Sequence, residues 1–504
     1  MVGANTSGDA DAVARCYGQG AAHIHAERLD AAAACFFKAA AFQPDHPVVL
    51  YTLGMTLRAL GRGAAAAVAL RAALAVRPDD PDTLFQVAAL LTELGRAEGA
   101  LAPLRRLVGL RPAYPGAAFG LGNALMAMGE PEQAEGAYRL AAVLEPDQAA
   151  ASNNLGAAIL SQCRPDAAAV HFRRAVRLEP SSPAHHKNLG TCLLTAGNFD
   201  EGWREYEWRM RQAVWRWNRD FPGKPRWDGS PLAGRTILVH FEQGLGDSVQ
   251  FARYFPLLKA MGARTIFECQ PRLTRILSTV PGIDTLVAHG DPLPDFDCHA
   301  SLMSLPGLCR TTASSIPGGV PYLRAEPDRV AFWRRRVEED GGRDAFRVGI
   351  QWRAAGDDRS IGLAAFAGLA RLSGVRLYSL QQVVGLDELE RLGAGMGIVS
   401  WPDMETSEQS FVDIAALMTS LDLIVACDSA VAHVAGALGQ RVFMALPWLG
   451  DWRWMRLADR TPWYPATRLF RMERRNDWTG PMTSIAAEIA RLAGGPRPGV
   501  GHGR

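Results

Sequence analysis

The sequence lacks a large excess of charge of either sign. Its 504 residues carry 54 Lys and Arg against 52 Asp and Glu, which gives a formal net charge of +2. There is no basic stripe and no acidic tail, so nucleic acid and anionic membrane are not expected as partners. Hydrophobic residues make up 48% and charged residues 21% of the chain. This balance is typical of globular proteins.

Paired cysteines and long apolar runs are also missing. The eight cysteines are scattered without a CxxC pair, and most lie in apolar segments. Such a pattern predicts buried free thiols in a reducing compartment. We find no secretory signal, and apolar runs such as residues 31–35 and 63–70 are too short to span a bilayer. We therefore expect a cytoplasmic protein with no membrane span.

Three common ligand-binding motifs are absent as well. In the glycine loop at residues 242–248, the third glycine position of GxGxxG is taken by Val249. No GK[ST] is present, which argues against a P-loop, and no DxD motif stands at a strand end. A dinucleotide fingerprint and a metal site are therefore not expected.

What the first half does contain is a repeat of 34 residues. Small residues at two fixed positions of each unit let paired helices approach closely, and a bulky residue follows the second one after four positions. A proline then ends each of the first five units. These prolines are Pro44, Pro78, Pro112, Pro146 and Pro180. The pattern resembles the tetratricopeptide repeat, in six units over residues 13–214.

Such repeats stack into an α-solenoid whose curved surface can hold a peptide or protein segment. Dimerisation, or simple spacing of the second half, is the alternative role. The periodicity stops at a tryptophan-rich cap and linker over residues 215–234. We expect its indoles and those just before it to bury the apolar face of the last helix against the next domain. They are Trp203, Trp208, Trp215, Trp217 and Trp227.

From residue 235 the pattern changes to strands alternating with helices, which implies parallel sheets covered on both faces. Two such sheets in tandem are predicted, in a first lobe over residues 235–325 and a second over residues 326–493. A cleft between them is expected at the carboxyl ends of the strands. The tail at residues 494–504 is rich in Gly and Pro and is expected to be disordered.

Two loops at predicted strand ends open helices. In the first, EQGLGDS at residues 242–248, Asp247 suits either an N-cap or a general base, and spacing alone favours the cap. In the second, small side chains at Ser429 and Ala430 leave a helix N-terminus open to a phosphate. His433 lies one turn further, although a lone helical histidine is usually structural.

Two further segments are weaker candidates. Arg353 or Arg359, in the loop at residues 351–360, could pair with a phosphate or could simply be solvated. The aromatic segment at residues 448–464 could stack a base, a sugar ring or an acceptor. Packing across the lobe interface is an equal alternative for these rings.

The segments GLGDSVQF, WRAAGDDRS and CDSAVAHVAGALGQRVFMALP followed by DWRW resemble the heptosyltransferase-like glycosyltransferases. More specifically, the chain resembles bacterial proteins that fuse tetratricopeptide repeats to such a domain, and the likeness covers residues 236–492. It implies a GT-B fold of two Rossmann-like lobes, with the acceptor on the first and the nucleotide sugar on the second. It also implies that Asp247 is the catalytic base.

The same resemblance implies that Asp428, Ser429 and His433 contact the donor phosphates. The chain departs from the family pattern in two ways. Ala430 replaces a common glycine, and the loop at residues 352–360 has no lysine, so Arg353 or Arg359 would substitute.

We therefore expect an inverting, metal-independent glycosyltransferase with no cofactor, since the nucleotide sugar is a substrate. Asp247 would deprotonate an acceptor hydroxyl, and the helix at Ser429 with an arginine would stabilise the departing phosphate. The donor-binding candidates are Gly244, Gly246, Arg353, Arg359, Ser360, Asp428, Ser429, Ala430 and His433. The aromatic candidates for lining the substrate are Trp352, Trp448, Trp452 and Trp454.

The repeats would present a protein acceptor, such as a flagellin or another surface protein. Two alternatives belong to other classes. One is a non-catalytic repeat scaffold with a degenerate transferase domain. The other is a GT-B-like sugar-nucleotide epimerase, which would need no protein acceptor.

Overall fold

The computed structural model describes residues 6–494, except residues 214, 216, 218, 355, 357–358, 406–409 and 457–458. Apart from its first residue, the tail predicted at residues 494–504 lies outside this described part. The chain divides into two compact units, Met1–His185 and His186–Arg504. None of the helices in the described part is both long enough and apolar enough to cross a membrane.

The first unit is built from pairs of helices. Each repeat proline is the second residue after a helix end, as Pro44 is after Phe42, because proline cannot continue a helix. The helices are α1 (Thr6–His25), α2 (Leu29–Phe42), α3 (Pro47–Ala59), α4 (Gly63–Val76), α5 (Pro81–Glu93), α6 (Ala97–Leu110), α7 (Ala117–Ala127), α8 (Pro131–Leu144), α9 (Ala149–Ser161) and α10 (Pro165–Leu178).

The small and bulky residues of the repeat meet as predicted. A Cβ added at Gly54 would lie 2.6 Å from the Leu70 side chain, and one at Gly122 would lie 2.5 Å from that of Tyr138. No larger residue fits at these positions without moving its neighbour, so the close approach of the two helices in each pair depends on glycine. The predicted tetratricopeptide-repeat array is confirmed in its helical pairing.

The second unit begins with the last helical pair, α11 (Pro183–Thr195), whose first residues belong to the first unit, and α12 (Phe199–Tyr206). A 3-10 turn at Glu207–Arg211 follows. The apolar face of α12 is covered as expected: Trp203 packs edge-on against Trp452 at 5.2 Å between ring centroids and donates its indole N–H to the Thr311 carbonyl over 2.9 Å. Trp208 instead stacks on His186 within the pair itself.

The first sheet has four parallel strands in the order β3-β2-β1-β4. Its strands are β1 (Thr236–His240), β2 (Arg264–Cys269), β3 (Thr285–Ala288) and β4 (Cys298–Ser301). Short helices follow three of these strands: α13 (Leu245–Phe251) and α14 (Phe255–Ala260) after β1, α15 (Thr274–Leu277) after β2, and α16 (Leu305–Leu308) after β4. The segment after β1 is not one continuous helix, because Pro256 has no N–H to continue the hydrogen-bond ladder and the chain starts again as α14.

The second sheet has six strands in the order β6-β5-β7-β8-β10-β9, all parallel except β9. They are β5 (Phe346–Gln351), β6 (Val375–Ser379), β7 (Leu423–Ala426), β8 (Val442–Leu446), β9 (Arg460–Thr461) and β10 (Tyr464–Arg471). The helices are α17 (Pro327–Val337), α18 (Ala367–Ala370), α19 (Leu386–Leu392), α20 (Pro402–Glu405), α21 (Ser410–Met418), α22 (Ala430–Ala437) and α23 (Thr479–Ala493). The predicted α/β region with parallel sheets is confirmed, whereas the exact domain boundaries stay predictions.

Candidate functional site

A cleft of about 880 Å³ lies in the second unit, at the carboxyl ends of strands from both sheets. Loops that follow β1, β5, β6, β7 and β8 form its walls. This is where open parallel sheets bind ligands. Nine of the predicted site residues line it: Gly244, Gly246, Asp247, Arg353, Arg359, Asp428, Ser429, Ala430 and His433.

The two glycine-rich loops touch each other at Gly246. A Cβ added there would lie 2.7 Å from Cδ2 of His433 and 3.5 Å from Cα of Ala430. Any larger side chain would push apart the N-terminal ends of α13 and α22, which come from different sheets. The glycine in the first loop therefore allows the close approach that places Asp247 and Ser429 in one cleft.

Asp247 is the third residue of α13, and its carboxylate does two things. One oxygen accepts the Gly244 N–H over 2.8 Å, which satisfies a free donor at the helix start as in a capping box. The other oxygen pairs with the Arg453 guanidinium. Burial raises the pKa of Asp247, against the opposing charge of Arg453. The capping role is observed, and the role of base stays a prediction.

Arg453 uses all three of its nitrogens around Asp247. Nη2 pairs with Asp247, Nη1 donates to Oδ1 of Asp451 over 2.7 Å, and Nε donates to Oε1 of Gln250 over 2.8 Å. Its side chain is almost completely buried. Asp247 and Gln250 follow β1 of the first sheet and Asp451 follows β8 of the second, so this guanidinium joins the two halves of the cleft.

The helix α22 begins at Ser429, which is its N-cap. The Ser429 hydroxyl accepts the Ala432 N–H over 3.4 Å and donates to Oε1 of Gln351 over 2.9 Å. With its hydroxyl occupied in this way, Ser429 fixes the start of the helix, and the next two residues, Ala430 and Val431, also line the cleft. A helix N-terminus of this kind favours an anion.

His433 is fully surrounded by protein. Its Nδ1 lies 2.9 Å from the Tyr464 hydroxyl, its ring stacks on Trp454, and Nε2 is 3.9 Å from Oδ1 of Asp428. Burial, followed by the charge of Arg453, lowers the pKa of His433 well below its usual value. The imidazole is therefore neutral at pH 7 and adds no charge to the cleft.

Asp428 is buried beside the same helix start. Burial, together with the charge of Asp451, raises the pKa of Asp428 to about 6. Nη1 of Arg359 lies 4.0 Å from its carboxylate. An acid with this pKa exchanges its proton close to neutral pH, which is common at functional sites.

The two candidate arginines are in different situations. Arg353 donates from Nε to Oε1 of Glu388 over 2.5 Å, whereas Arg359 is about 39% exposed and lies at the cleft edge near Asp428. Ser360 does not line the cleft. Its hydroxyl accepts the Ala354 N–H over 3.1 Å and donates to the Gly356 carbonyl over 3.0 Å, so it shapes the loop. Arg359 is thus the better placed of the two cations.

The four candidate tryptophans do not line the cleft. Trp352, Trp452 and Trp454 are buried among apolar side chains, and Trp448 is half-buried. Trp452, for example, packs against Trp203 and Trp463. The structure describes packing for these rings, and their contact with a substrate stays a prediction.

The cleft residues Arg272 and Gln381 lay outside every candidate segment, whereas Gln351, Asp451 and Arg453 lay inside such segments but were not assigned to the site. The segment DWRW was considered for its aromatic rings, whereas its Arg453 pairs with Asp247 and its Asp451 holds that arginine. No spacing rule relates positions that are 206 residues apart. Among the described residues, no group of three or more His, Cys, Asp or Glu side chains could hold a metal ion.

The tetratricopeptide-repeat family matches residues 51–118, 119–183 and 160–206. The chain is thus an array of tetratricopeptide repeats over about its first 210 residues, followed by an α/β region with parallel sheets. It is similar to Protein FlbA of Caulobacter vibrioides, with 28% identity over 326 residues. The match covers 60% of this chain and 54% of FlbA, so the chain spans about half the length of this curated relative.

Similar solved structures match about a third of the chain. MamA from Desulfovibrio magneticus RS-1 is 23% identical, with coverage of 34% of this chain and 97% of that one and a TM-score of 0.32. TTC0263, a thermophilic tetratricopeptide-repeat protein from Thermus thermophilus, is 28% identical, with coverage of 33% and 91% and a TM-score of 0.28.

Proposed function

We propose that the chain is a GT-B glycosyltransferase that moves a sugar from a nucleotide-sugar donor to an acceptor hydroxyl. The contact between Gly246 and His433 supports this most strongly, because it brings two strand-to-helix loops of separate sheets into one cleft. One loop offers a buried carboxylate, and the other offers a helix N-terminus suited to a phosphate. The reaction needs these two groups on opposite sides of the anomeric carbon.

In this proposal Asp247 accepts the proton of the acceptor hydroxyl. The acceptor oxygen forms a bond to the anomeric carbon while the bond from that carbon to the donor phosphate oxygen breaks, so configuration inverts. Burial supports the assignment, because a raised pKa makes the carboxylate a stronger base than a solvated aspartate. Arg453 keeps this carboxylate in place in the free protein.

The leaving phosphate gains negative charge as that bond breaks. The start of α22 at Ser429 and the guanidinium of Arg359 would stabilise it without a metal. Asp428 contributes differently: with a pKa of about 6, it takes up a proton when an anion approaches. The protonated acid would then donate a hydrogen bond to the phosphate instead of repelling it.

The acceptor is proposed to be a protein held by the repeat array, such as a flagellin or another surface protein. The ten helices α1 to α10 offer an extended surface of the kind that repeat proteins use for polypeptides. A scaffold without catalysis remains the main alternative, and a sugar-nucleotide epimerase the other.

Co-expression with candidate acceptors, followed by intact-mass measurement, tests the proposal. We expect an acceptor to gain the mass of one or more sugar residues in the presence of the parent chain. An Arg310→Gln variant, changed outside the cleft, serves as the control and should transfer normally. Conversion of a sugar nucleotide into an epimer without any acceptor would favour the epimerase. Nucleotide binding with neither reaction would favour the scaffold.

A further inference from the structure

The buried imidazole of His433 has two nitrogens in different surroundings. Nδ1 lies 2.9 Å from the hydroxyl of Tyr464, the first residue of β10. Nε2 has no hydrogen-bond partner among the described residues, yet it is not sealed from solvent, and His433 is one of the residues that line the cleft. A neutral imidazole carries a single hydrogen on one of its nitrogens. What the ring offers to the cleft therefore depends on which nitrogen carries that hydrogen.

The hydroxyl of Tyr464 is placed to settle this choice. Burial, with a further contribution from Tyr322, raises the pKa of Tyr464 well above its usual value, so the hydroxyl keeps its hydrogen. Two acceptors lie within reach of this hydrogen in the described part of the chain: Nδ1 of His433 at 2.9 Å and the Tyr322 oxygen at 3.4 Å. The first distance is typical of a hydrogen bond, and the second is near its limit. The Tyr464 hydroxyl therefore donates to Nδ1, which accepts as a bare nitrogen.

The Tyr322 hydroxyl does not compete for this role. It donates to the Val249 carbonyl over 3.0 Å and accepts a hydrogen bond from Nη2 of Arg253 over 3.2 Å. Nη1 of Arg253 in turn donates to the Trp463 carbonyl over 2.7 Å. These bonds hold the Tyr322 oxygen at its longer distance from Tyr464 and use the Tyr322 hydrogen elsewhere.

The cleft side of the ring favours the same tautomer. Oδ1 of Asp428 lies 3.9 Å from Nε2 of His433. A bare nitrogen would turn its lone pair towards this carboxylate, whereas an N–H group turns a partial positive charge towards it. This influence is the weaker of the two, because the distance exceeds that of a hydrogen bond and both residues border the cleft. Asp428 and Tyr464 thus both favour hydrogen on Nε2, and Tyr464 has the larger share.

We propose that Tyr464 is a positioning residue of the cleft: its hydroxyl holds the His433 hydrogen on Nε2, which donates it in a hydrogen bond to an oxygen of the donor phosphate. His433 is the fourth residue of α22, one turn from the helix start at Ser429. One anion can therefore accept hydrogen bonds from the helix start and from the imidazole. The phosphate half of this statement rests on the proposed function, whereas the tautomer half does not.

Nitrogen NMR of the full chain with isotope-labelled histidine reads the tautomer, because protonated and bare ring nitrogens differ widely in chemical shift. The His433→Gln variant identifies the His433 signals by their loss. In the free parent chain we expect hydrogen on Nε2 and a bare Nδ1. In Tyr464→Phe, which removes only the hydroxyl, we expect part of the population to carry hydrogen on Nδ1.

Asp428→Asn is the matched variant on the other side of the ring. It removes the charge near Nε2 but leaves the Tyr464 hydroxyl, so the hydrogen should stay on Nε2. An unchanged tautomer in Tyr464→Phe would overturn the proposal, and a change in Asp428→Asn alone would assign the choice to Asp428. Hydrogen on Nδ1 in the parent chain would overturn the proposal as well.

Calorimetric titration with ADP, GDP, CDP and UDP tests the phosphate half. The affinity of Tyr464→Phe should fall in proportion to the fraction of His433 that keeps hydrogen on Nε2, because only this tautomer can donate to the phosphate. His433→Gln places an amide N–H near the position of Nε2, and His433→Asn places one near that of Nδ1. We expect the glutamine variant to bind about tenfold more tightly than the asparagine variant, since it alone keeps a hydrogen bond to a charged group. This pair also decides the matter if Tyr464→Phe does not fold.

Tyr254→Phe is the control for the loss of a buried hydroxyl. Tyr254 is buried to a similar degree as Tyr464, and its hydroxyl lies 2.7 Å from that of Thr311, outside the cleft. This variant should lose stability as Tyr464→Phe does. It should nevertheless bind nucleotides like the parent and keep hydrogen on Nε2 of His433.

Two binding results separate this proposal from the proposed function. If the parent binds a nucleoside diphosphate and Tyr464→Phe binds it equally well despite an altered tautomer, His433 does not donate to the phosphate, while the proposed function stands. If the parent binds none of the four nucleotides, the phosphate half falls together with the proposed function. The NMR result alone then decides the role of Tyr464.

Discussion

Asp247, in the loop that follows β1 of the first sheet, forms an ion pair with Arg453, in the loop that follows β8 of the second. Both side chains are largely buried. The carboxylate proposed as the base is thus held by a cation whose other two nitrogen positions are bonded to Asp451 and Gln250. A change at Asp247 consequently affects the joining of the two sheets as well as the chemistry.

The variant Asp247→Asn separates these effects. Asparagine can still accept the Gly244 N–H but cannot take a proton, so transfer should fall by about 10²–10⁴. Its amide group no longer balances the buried charge of Arg453, and we expect a loss of roughly 1–3 kcal/mol in the free energy of unfolding. Turnover with a saturating acceptor and urea denaturation measure the two effects.

The control is Asp451→Asn, which removes the other carboxylate from Arg453. It should lower the stability to a similar degree while transfer falls much less. If both variants lose the same turnover, Asp247 acts by positioning Arg453, and the assignment of Asp247 as base fails.

The donor site can be tested at Ser429 without loss of the helix cap. Aspartate and asparagine are both good N-caps, but only aspartate adds a negative charge where the donor phosphate is proposed to bind. We expect Ser429→Asp to bind nucleoside diphosphates at least tenfold more weakly than Ser429→Asn, at equal melting temperatures. Calorimetric titration measures this ratio. Equal affinities of the two variants would mean that the donor phosphate does not bind at the start of α22.

Asp428 should make the protein less stable as the pH rises, which is opposite to the usual effect of an aspartate. Its pKa is raised from 3.8 to about 6 on folding, so the folded state binds more protons and stability falls as pH rises from about 4 to 6. At roughly 1.4 kcal/mol per pKa unit, a shift of this size lowers the free energy of unfolding by about 3 kcal/mol once the pH is above 6. Asp428→Asn should therefore exceed the parent in free energy of unfolding at pH 7.5, and the advantage should shrink towards pH 5.

Urea denaturation across this range checks the expectation. Asp284→Asn is the control. The hydrogen bond from Lys259 lowers the pKa of Asp284, so this carboxyl group is fully ionised above pH 5. That variant should shift the curve by a constant amount between pH 5 and 8. A constant shift for Asp428→Asn as well would mean that this carboxyl does not titrate there.

The last helical pair should be required for folding of the α/β region. Arg209, in the turn after α12, donates from Nε and Nη2 to Glu242, at 2.8 Å each, and both side chains are fully buried. A fragment of residues 212–504 would leave the buried charge of Glu242 without its cation, and breaking a buried ion pair costs about 3–5 kcal/mol. We expect this fragment to aggregate, whereas residues 181–504 should give a folded monomer or oligomer by circular dichroism and gel filtration.

The longer fragment also tests the role of the array. It retains the whole cleft but lacks α1 to α10. It should still hydrolyse the donor slowly while transfer to the protein acceptor is lost. Transfer at the parent rate would reduce the array to a spacer, and a folded fragment of residues 212–504 would contradict the requirement for Arg209.

Cys163 should be a point of strain in the array. It has a φ of +57°, where the equivalent residues Gly61, Gly95 and Gly129 have φ between +70° and +75°. A left-handed residue with a Cβ costs about 1–2 kcal/mol, so Cys163→Gly should raise the free energy of unfolding by about that amount. Gly129→Ala should lower it comparably. Thermal melting of the full chain measures both, and a destabilised Cys163→Gly would show that the thiol contributes more than the strain costs.

The repeat array could be predicted from sequence because its contacts are local and recur every 34 residues. The loops of the cleft were found because β1, β5 and β7 are short apolar runs that end at polar residues. Strand β10 was missed, since its sequence YPATRLFR alternates poorly and contains a proline. The pairing of Asp247 with Arg453 depends on how two sheets pack, which no spacing in the sequence encodes.

The role of the candidate tryptophans could not be predicted from the sequence either. The large apolar surface of an indole can pack either against a ligand or inside a protein core, and the sequence does not distinguish these two roles. Trp454 is buried because the His433 ring stacks on it, at 5.3 Å between centroids. This burial depends on where α22 lies, which the sequence does not reveal.

The buried pair of Arg209 and Glu242 has an evolutionary consequence. Because the compact unit His186–Arg504 includes most of the final helical pair and both partners of this ion pair, we expect the pair to persist when repeats ahead of Pro183 are gained, lost or recombined. Proteins that share this α/β region can therefore diverge in repeat number and surface while their clefts remain alike. A foreign repeat array could be joined just ahead of Pro183, in order to direct the chain to a chosen acceptor.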